Sequence, residues 1–205
     1  MPKIKLTKGE LKKQRDNLHQ YNRYLPTLQL KKQQLQIEIL RQRMLIEEKK
    51  FAERMKHSDS LSWAGLLSDD TIDIKVYIKP IGVKTYSKNI AGVDVPIFES
   101  VEFTPAEYDL FAAPLWVDGA IDALRVIVTL REEIKVLEKG TTILRRELRT
   151  TSQRVNLFEK VKIPESEEAV RRIKIFIGDQ MTNAVGRSKI AKKKIENAVL
   201  EEVAA

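Results

Sequence analysis

"AIDALRVIVTLREEIKVLEKGTTILRRELRTTSQRVNLF", residues 120–158, is the stretch whose reading decides the fold. Counting in alternating steps of three and four gives Ala120, Ala123, Ile127, Leu130, Ile134, Leu137, Thr141, Leu144, Leu148, Thr151, Val155 and Phe158. Ten of these twelve positions are apolar and two are threonine, a run beyond the three to four heptads that identify a coiled-coil helix. Such a seam has to bury itself against something of the same kind.

The partner lies at the other end of the chain. Leu11, Leu18, Tyr21, Leu25, Leu28, Leu35, Ile39 and Ile46 share one heptad frame, interrupted by Gln14, Lys32 and Gln42. A second set, Leu40, Met44, Phe51 and Met55, lies one position round and reads as the drift of a 3.6-residue helix from a strict heptad. Thr7 followed by Glu10 reads as a capping box. Pro26 interrupts this arm in mid-pattern, where it removes one backbone donor and costs roughly 3 kcal/mol. Its expected effect is a kink. Past residue 158 the second arm meets "VKIPESEEA" and resumes with Val170, Ile173, Ile177, Met181, Ala184, Ala191 and Ile195. Pro164 with Glu165, Glu167 and Glu168 behind it suits either a helix restart or a kink in one continuous helix.

Between the arms the period changes from 3.5 to 2. Ile72, Ile74, Val76 and Ile78 alternate with Asp73, Lys75, Tyr77 and Lys79, which predicts a half-buried strand. A strand pair is expected across roughly residues 72–103, with its turn near Ser87–Asn89, and "TPAEYDLFAAPLW" as a short helix or turn leading into the second arm. Charge follows the same division. Residues 1–57 carry a net +9, residues 58–115 a net −5 and residues 116–205 a net +4. The expected architecture is mainly α: a long antiparallel two-helix coiled-coil hairpin with arms at 1–57 and 116–205, and an insert at 58–115 containing a β-hairpin and a short helix. An arm of about 50 residues would be about 75 Å long.

Chemistry is sparse. The chain has no cysteine, which excludes disulfides and thiolate metal sites, and only two histidines, His19 and His57, far apart in sequence. It has neither a GxxxxGK[ST] phosphate loop nor GxGxxG. Acid pairs such as Glu47–Glu48 and Glu132–Glu133 read as solvated helix faces, and the few aromatics form no stacking platform. No catalytic residue, cofactor or metal is expected. No apolar run approaches the roughly 20 residues that span a bilayer, and the N-terminus lacks a signal-peptide core, so a cytoplasmic location is expected. The basic clusters "KGELKKQR" and "RSKIAKKKIE" would meet at one tip of an antiparallel hairpin. Their partner by charge alone could be nucleic acid, an anionic membrane or an acidic protein cavity. A basic coiled-coil tether or scaffold fits the residues equally.

Three stretches narrow this. "LTKGELKKQRDNLHQYNRYLPTLQLKKQQL" (6–35), "NIAGVDVPIFE" (89–99) and "RVNLFEKVKIP" (154–164) together resemble the D-subunit family of V-type and archaeal-type rotary ATPases, in order and spacing. The tail "IGDQMTNAVGRSKIAKKKIENAVLEEVAA" departs from the family's strongly charged pattern and keeps only its basic part. The resemblance implies a non-catalytic central rotor shaft, coupling ATP hydrolysis or synthesis in the head to H⁺ or Na⁺ transport by a membrane ring, at the cytoplasmic face and without membrane insertion or nucleic acid. The implied partners are the catalytic and nucleotide-binding A and B subunits of the head, the small F subunit of the stalk and the connector known as C or d. It further implies a head-contacting basic tip at Lys8, Lys12, Lys13, Arg15, Arg187, Lys189, Lys192, Lys193 and Lys194. Lower-stalk docking would fall to Ile72, Ile74, Val76, Gly92, Val93, Pro96 and Phe98. A kink at Pro26 would give the shaft an asymmetric bend, with Pro164 a second candidate kink.

Overall fold

The computed structural model describes residues 5–68, 74–108 and 113–204. Two long helical runs dominate. Helix α1 spans Lys8–Leu61. Helix α3 spans Trp116–Leu157 and passes through a five-residue π-helical segment, Phe158–Lys162, into α4, Ile163–Ala204. Between them lie a 3₁₀ turn at Ala64–Ser68, a single helical turn α2 at Lys75–Ile78, and an antiparallel pair of strands, β1 Pro80–Ile90 and β2 Val93–Phe103. A mainly α hairpin of long helices with a small β-hairpin insert is therefore the fold.

Helix α1 starts where Thr7 Oγ1 accepts the Glu10 amide at 3.2 Å, satisfying one of the free N–H groups of the first turn. The reciprocal half of the capping box is absent: the Glu10 carboxylate accepts from Gln14 Nε2 at 2.8 Å instead. The helix then runs unbroken through Pro26. Thr27 Oγ1 donates to the Tyr24 carbonyl at 2.7 Å beside it. Neither does the chain break at Pro164. Helical structure is continuous from Trp116 to Ala204, with the π segment immediately before the proline, so the restart reading gives way to one continuous helix.

The strand expected over residues 72–78 is not formed by the described residues of that stretch. Ile74 is in a turn and Lys75–Ile78 make the helical turn α2. Residue Ile72 lies outside the described residues. Ile74 is buried with Val117 and Ile121, and Tyr77, Ile78, Tyr108, Trp116 and Leu124 pack round them. Of the alternating row, Ile74 and Ile78 anchor a compact corner, while Val76 is exposed and Tyr77 packs in its stead. The hairpin begins after it, and its turn falls at Ala91–Gly92, not at Ser87–Asn89. Both turn residues have positive φ, 52° and 75°, matching a two-residue turn whose twist suits the flanking strands. Asn89 holds it, its Oδ1 accepting the Gly92 amide at 3.0 Å and its Nδ2 donating to Asp94 at 2.8 Å. Polar Ser87–Asn89 resembles a turn because the strand is solvent-facing there. The segment after Phe103 is irregular to Tyr108, and Val117 N–H closes a turn onto the Pro114 carbonyl at 3.0 Å as α3 begins.

The chain divides into two compact units. One is formed by residues 1–29 with 153–205, the other by residues 30–152. In the second unit Leu35, Ile39, Val95 and Leu144 make the core, closed by Ile90, Ala91, Val93 and Leu148. In the first, Val155, Ser166, Ala169, Val170 and Ile173 are buried, and the Tyr21 and Phe158 rings meet at 5.2 Å. No described helix is long and apolar enough to cross a membrane.

Candidate docking surfaces

The helix pair within residues 30–152 carries the hairpin, and its seam is uneven. Leu35, Ile39, Ile46, Ile127, Ile134 and Leu144 are buried, whereas Leu130, Leu137 and Leu148 are half-buried. In the other unit Leu11, Leu18, Leu25, Leu28 and Phe158 are half-buried and Val155 is buried. Gln42, which interrupts the heptad in sequence, is itself in the seam. Its Oε1 lies 3.1 Å from Thr141 Oγ1, which also lies 2.9 Å from the Leu137 carbonyl. The threonine at an apolar heptad position and the glutamine opposite are one buried polar contact.

Ion pairs brace the same two helices. Lys31–Glu147 (2.9 Å), Lys49–Glu133 (3.0 Å), Lys50–Glu138 (2.9 Å) and Arg131–Glu53 (2.6 Å) all cross from α1 to α3. The hydrogen bond from Lys50 to Glu138, and then that carboxylate's charge, raise the lysine pKa. Whatever this pair contributes is fully present below the ordinary lysine range and fades as pH rises through the raised value. Half-exposed pairs are worth about 0–1 kcal/mol each, against roughly 1.5–3 kcal/mol for each fully buried Leu or Ile. The seam therefore holds the pair together and the charges select its register.

The β-hairpin docks through one point of close approach. Val95, 1% exposed, sits over Gly140 of α3. A Cβ at Gly140 would lie 2.8 Å from Val95 Cγ1, 3.5 Å from Gln42 Oε1 and 3.7 Å from the Pro96 carbonyl. Only glycine lets the strand come this near. The other end of the insert is tied down by Arg125. Its Nε donates to the Tyr77 carbonyl at 3.0 Å, its Nη2 to the Thr104 carbonyl at 2.7 Å, and its guanidinium stacks over Phe103 at 5.4 Å. Tyr77 Oη donates to the Glu107 carbonyl, and Tyr108 Oη to Asp118, which raises the Tyr108 pKa. Sequence reasoning misses Gly140, Val95 and Arg125. A lone glycine in a heptad run carries a weak signal of close approach, and the other two carry none.

The residues expected to dock the lower stalk do not form one surface. Ile74 is buried, Val93, Pro96 and Phe98 are half-buried, and Val93 turns into the core. Only Val76 and Gly92 among the described ones are exposed. The hairpin's outward apolar residues are Ile81 and Tyr86 instead.

Two other surfaces stand out. Leu40, Met44, Phe51 and Met55 do not drift into the seam. They are exposed, Met44 by 67%, and with Ile37 at 68% they run as a stripe along α1 at steps of three, four and seven. The second surface is α4 beyond Ile177, exposed at every described position to Val199. Met181, Ala184, Ala191 and Ile195, expected in the seam, are all on it. So are Arg187, Lys189, Lys192, Lys193 and Lys194. Lys8, Lys12, Lys13 and Arg15 are exposed on the first turns of α1, whose Leu18 shares a groove with Glu167, Val170, Arg171, Lys174 and Ile175. At about 1.5 Å per residue, Lys8 reaches the level of about residue 181, and the α4 cluster lies past it. On that count the two basic sets lie at successive levels of the same end.

Comparison with known proteins agrees with this architecture along nearly the whole chain. The family model for the D subunit of ATP synthase matches residues 10–193. The V-type ATP synthase D subunit of Borreliella burgdorferi is 45% identical over 195 residues, covering 95% of this chain and 96% of that protein. Those of Chlamydia pneumoniae and Chlamydia muridarum are 36% and 33% identical, each over 94% of this chain and 93% and 96% of theirs. The chain belongs to the ATP synthase D-subunit family.

Proposed function

We propose that this chain is the central rotor shaft of a V/A-type ATPase, a structural component with no catalysis of its own. It transmits torque between ATP hydrolysis or synthesis in a head of A and B subunits and H⁺ or Na⁺ movement through a membrane ring. The observation that carries the reading is the braced helix pair. Two unbroken helices share a packed seam, one buried polar contact and four crossing ion pairs. That construction resists twisting of one helix about the other, which is what a shaft requires. Family membership supplies the setting.

The exposed surfaces suit the division of contacts this implies. The basic, solvent-facing end of α4, with Arg187, Lys189 and Lys192–Lys194, and the basic start of α1 enter an acid-lined head. The α1 stripe from Ile37 to Met55 seats an apolar partner, assigned to the small F subunit of the stalk. The hairpin's outward residues and the Ile74 corner meet the C-type or d-type connector. The complex would lie at the cytoplasmic face of the membrane, with this chain peripheral. Reconstituting the complex in vesicles with and without the chain tests the reading. With it, ATP hydrolysis should drive ion uptake; without it, uptake should fall to background. Full ATP-driven uptake in its absence would sink the proposal.

A further inference from the structure

The π-helical segment Phe158–Lys162 solves a phase problem written in the sequence. Counting on from Val155 and Phe158 in steps of four and three reaches Lys162, Glu165, Ala169, Arg172 and Phe176. Glu165 and Arg172 are exposed, and each is in an ion pair along the same helical run, with Lys162 and Glu168. The inward face is centred later: Ile163 is half-buried, Ser166, Val170 and Ile173 are buried and Ile177 is half-buried, with Ala169 of the uncorrected frame buried beside Val170 and Phe176 half-buried beside Ile177. A regular α-helix would thus turn Glu165 and Arg172 toward α1 and rotate Ser166 and Ile173 off that face. A π turn holds one extra residue, and the Ile163 amide donates five residues back, to the Phe158 carbonyl. One residue is the size of the offset.

Pro164 stands directly behind that turn. In an unbroken α ladder its ring would press on the Lys160 carbonyl and leave it without a donor. After a widened turn the ladder is already open there. We infer that the π turn and Pro164 form one device, a one-residue phase correction locked in place by the proline. It sets which face of α4 meets α1, and hence which way the exposed basic residues beyond Ile177 point. The frame past Ile177 reads Gln180, Ala184, Arg187, Ala191 and Lys194, with no large apolar residue, so the correction serves a short seam and a long free segment. This inference does not depend on which partner binds that segment.

Removing Lys160, an exposed residue of the turn, would restore the phase without a π turn but force Pro164 into a regular ladder. The deletion alone should therefore lower Tm by about 6–12 °C, the scale of an internal helix proline. Combined with Pro164→Ala, it should melt at or above the parent. Pro164→Ala alone should change Tm little, because the seam still demands the extra residue. Since the chain has no cysteine, Leu18→Cys with Val170→Cys, which line one groove, reports the phase: disulfide formation should persist in the deletion with Pro164→Ala. Adding one alanine after Lys160 in the Pro164→Ala background should abolish it. Equal Tm losses for the deletion with and without Pro164, or loss of the crosslink in the combined variant, would overturn the inference.

Discussion

Gly140 shows how a single missing methyl positions a whole hairpin. Its hydrogen faces Val95 in the place where a Cβ would be 2.8 Å from Val95 Cγ1, so Gly140→Ala must push β2 away or twist α3. Helix propensity favours alanine there by up to about 1 kcal/mol. Overpacking of a filled site costs about 1–3 kcal/mol and should win. Gly140→Ala should therefore lower Tm by several degrees, and adding Val95→Ala should recover part of the loss; a Gly140→Ala protein that melts above the parent would show the contact to be slack. This scale is only partly legible in sequence. Leu35, Ile39 and Leu144 are heptad positions and are buried, whereas Gln42 is visible only as an interruption because its partner Thr141 is 99 residues away. Separation along the chain also hides Gly140, whose meaning depends on the residues of β2.

Among elements, the long helices are legible because their 3.5-residue periodicity is sustained over many turns, while the short ones are not. The alternating row of Ile74, Val76 and Ile78 imitates a strand face, but the helical turn that follows Ile74 exposes Val76 and packs Tyr77 and Ile78 round Ile74. The hairpin turn escapes because its residues, Ala91 and Gly92, are less polar than the strand residues before them. Leu40, Met44, Phe51 and Met55 look like continuing seam in sequence. Only the position of α3 shows them facing outward, with the buried row remaining on Leu35, Ile39, Gln42 and Ile46. A stripe of this kind covered by a partner predicts a clean separation of folding from binding. Met44→Glu with Phe51→Glu should leave the circular dichroism melt unchanged and weaken capture of the small F subunit at least tenfold, measured with purified partners. Unchanged capture would remove the stripe from the interface.

At the scale of the molecule, the order of the three motifs at residues 6–35, 89–99 and 154–164 carries the family, and the match over residues 10–193 agrees with it. The free end of α4 is not legible. Small and basic residues along its inward frame leave nothing large to pair, but the apolar Met181 and Ile195 beside them imitate a seam. The proposed rotor role requires that the braced pair turn as one body inside the head. Rotation can be watched directly. With Glu99→Cys, at an exposed hairpin position in a chain without other cysteines, a bead can be attached to this chain in a complex whose A and B subunits are fixed to glass. On adding ATP the bead should turn in one direction in regular steps, and stop when ATP is withdrawn. A bead that stays still, or diffuses equally both ways, while the same complexes hydrolyse ATP would contradict the account.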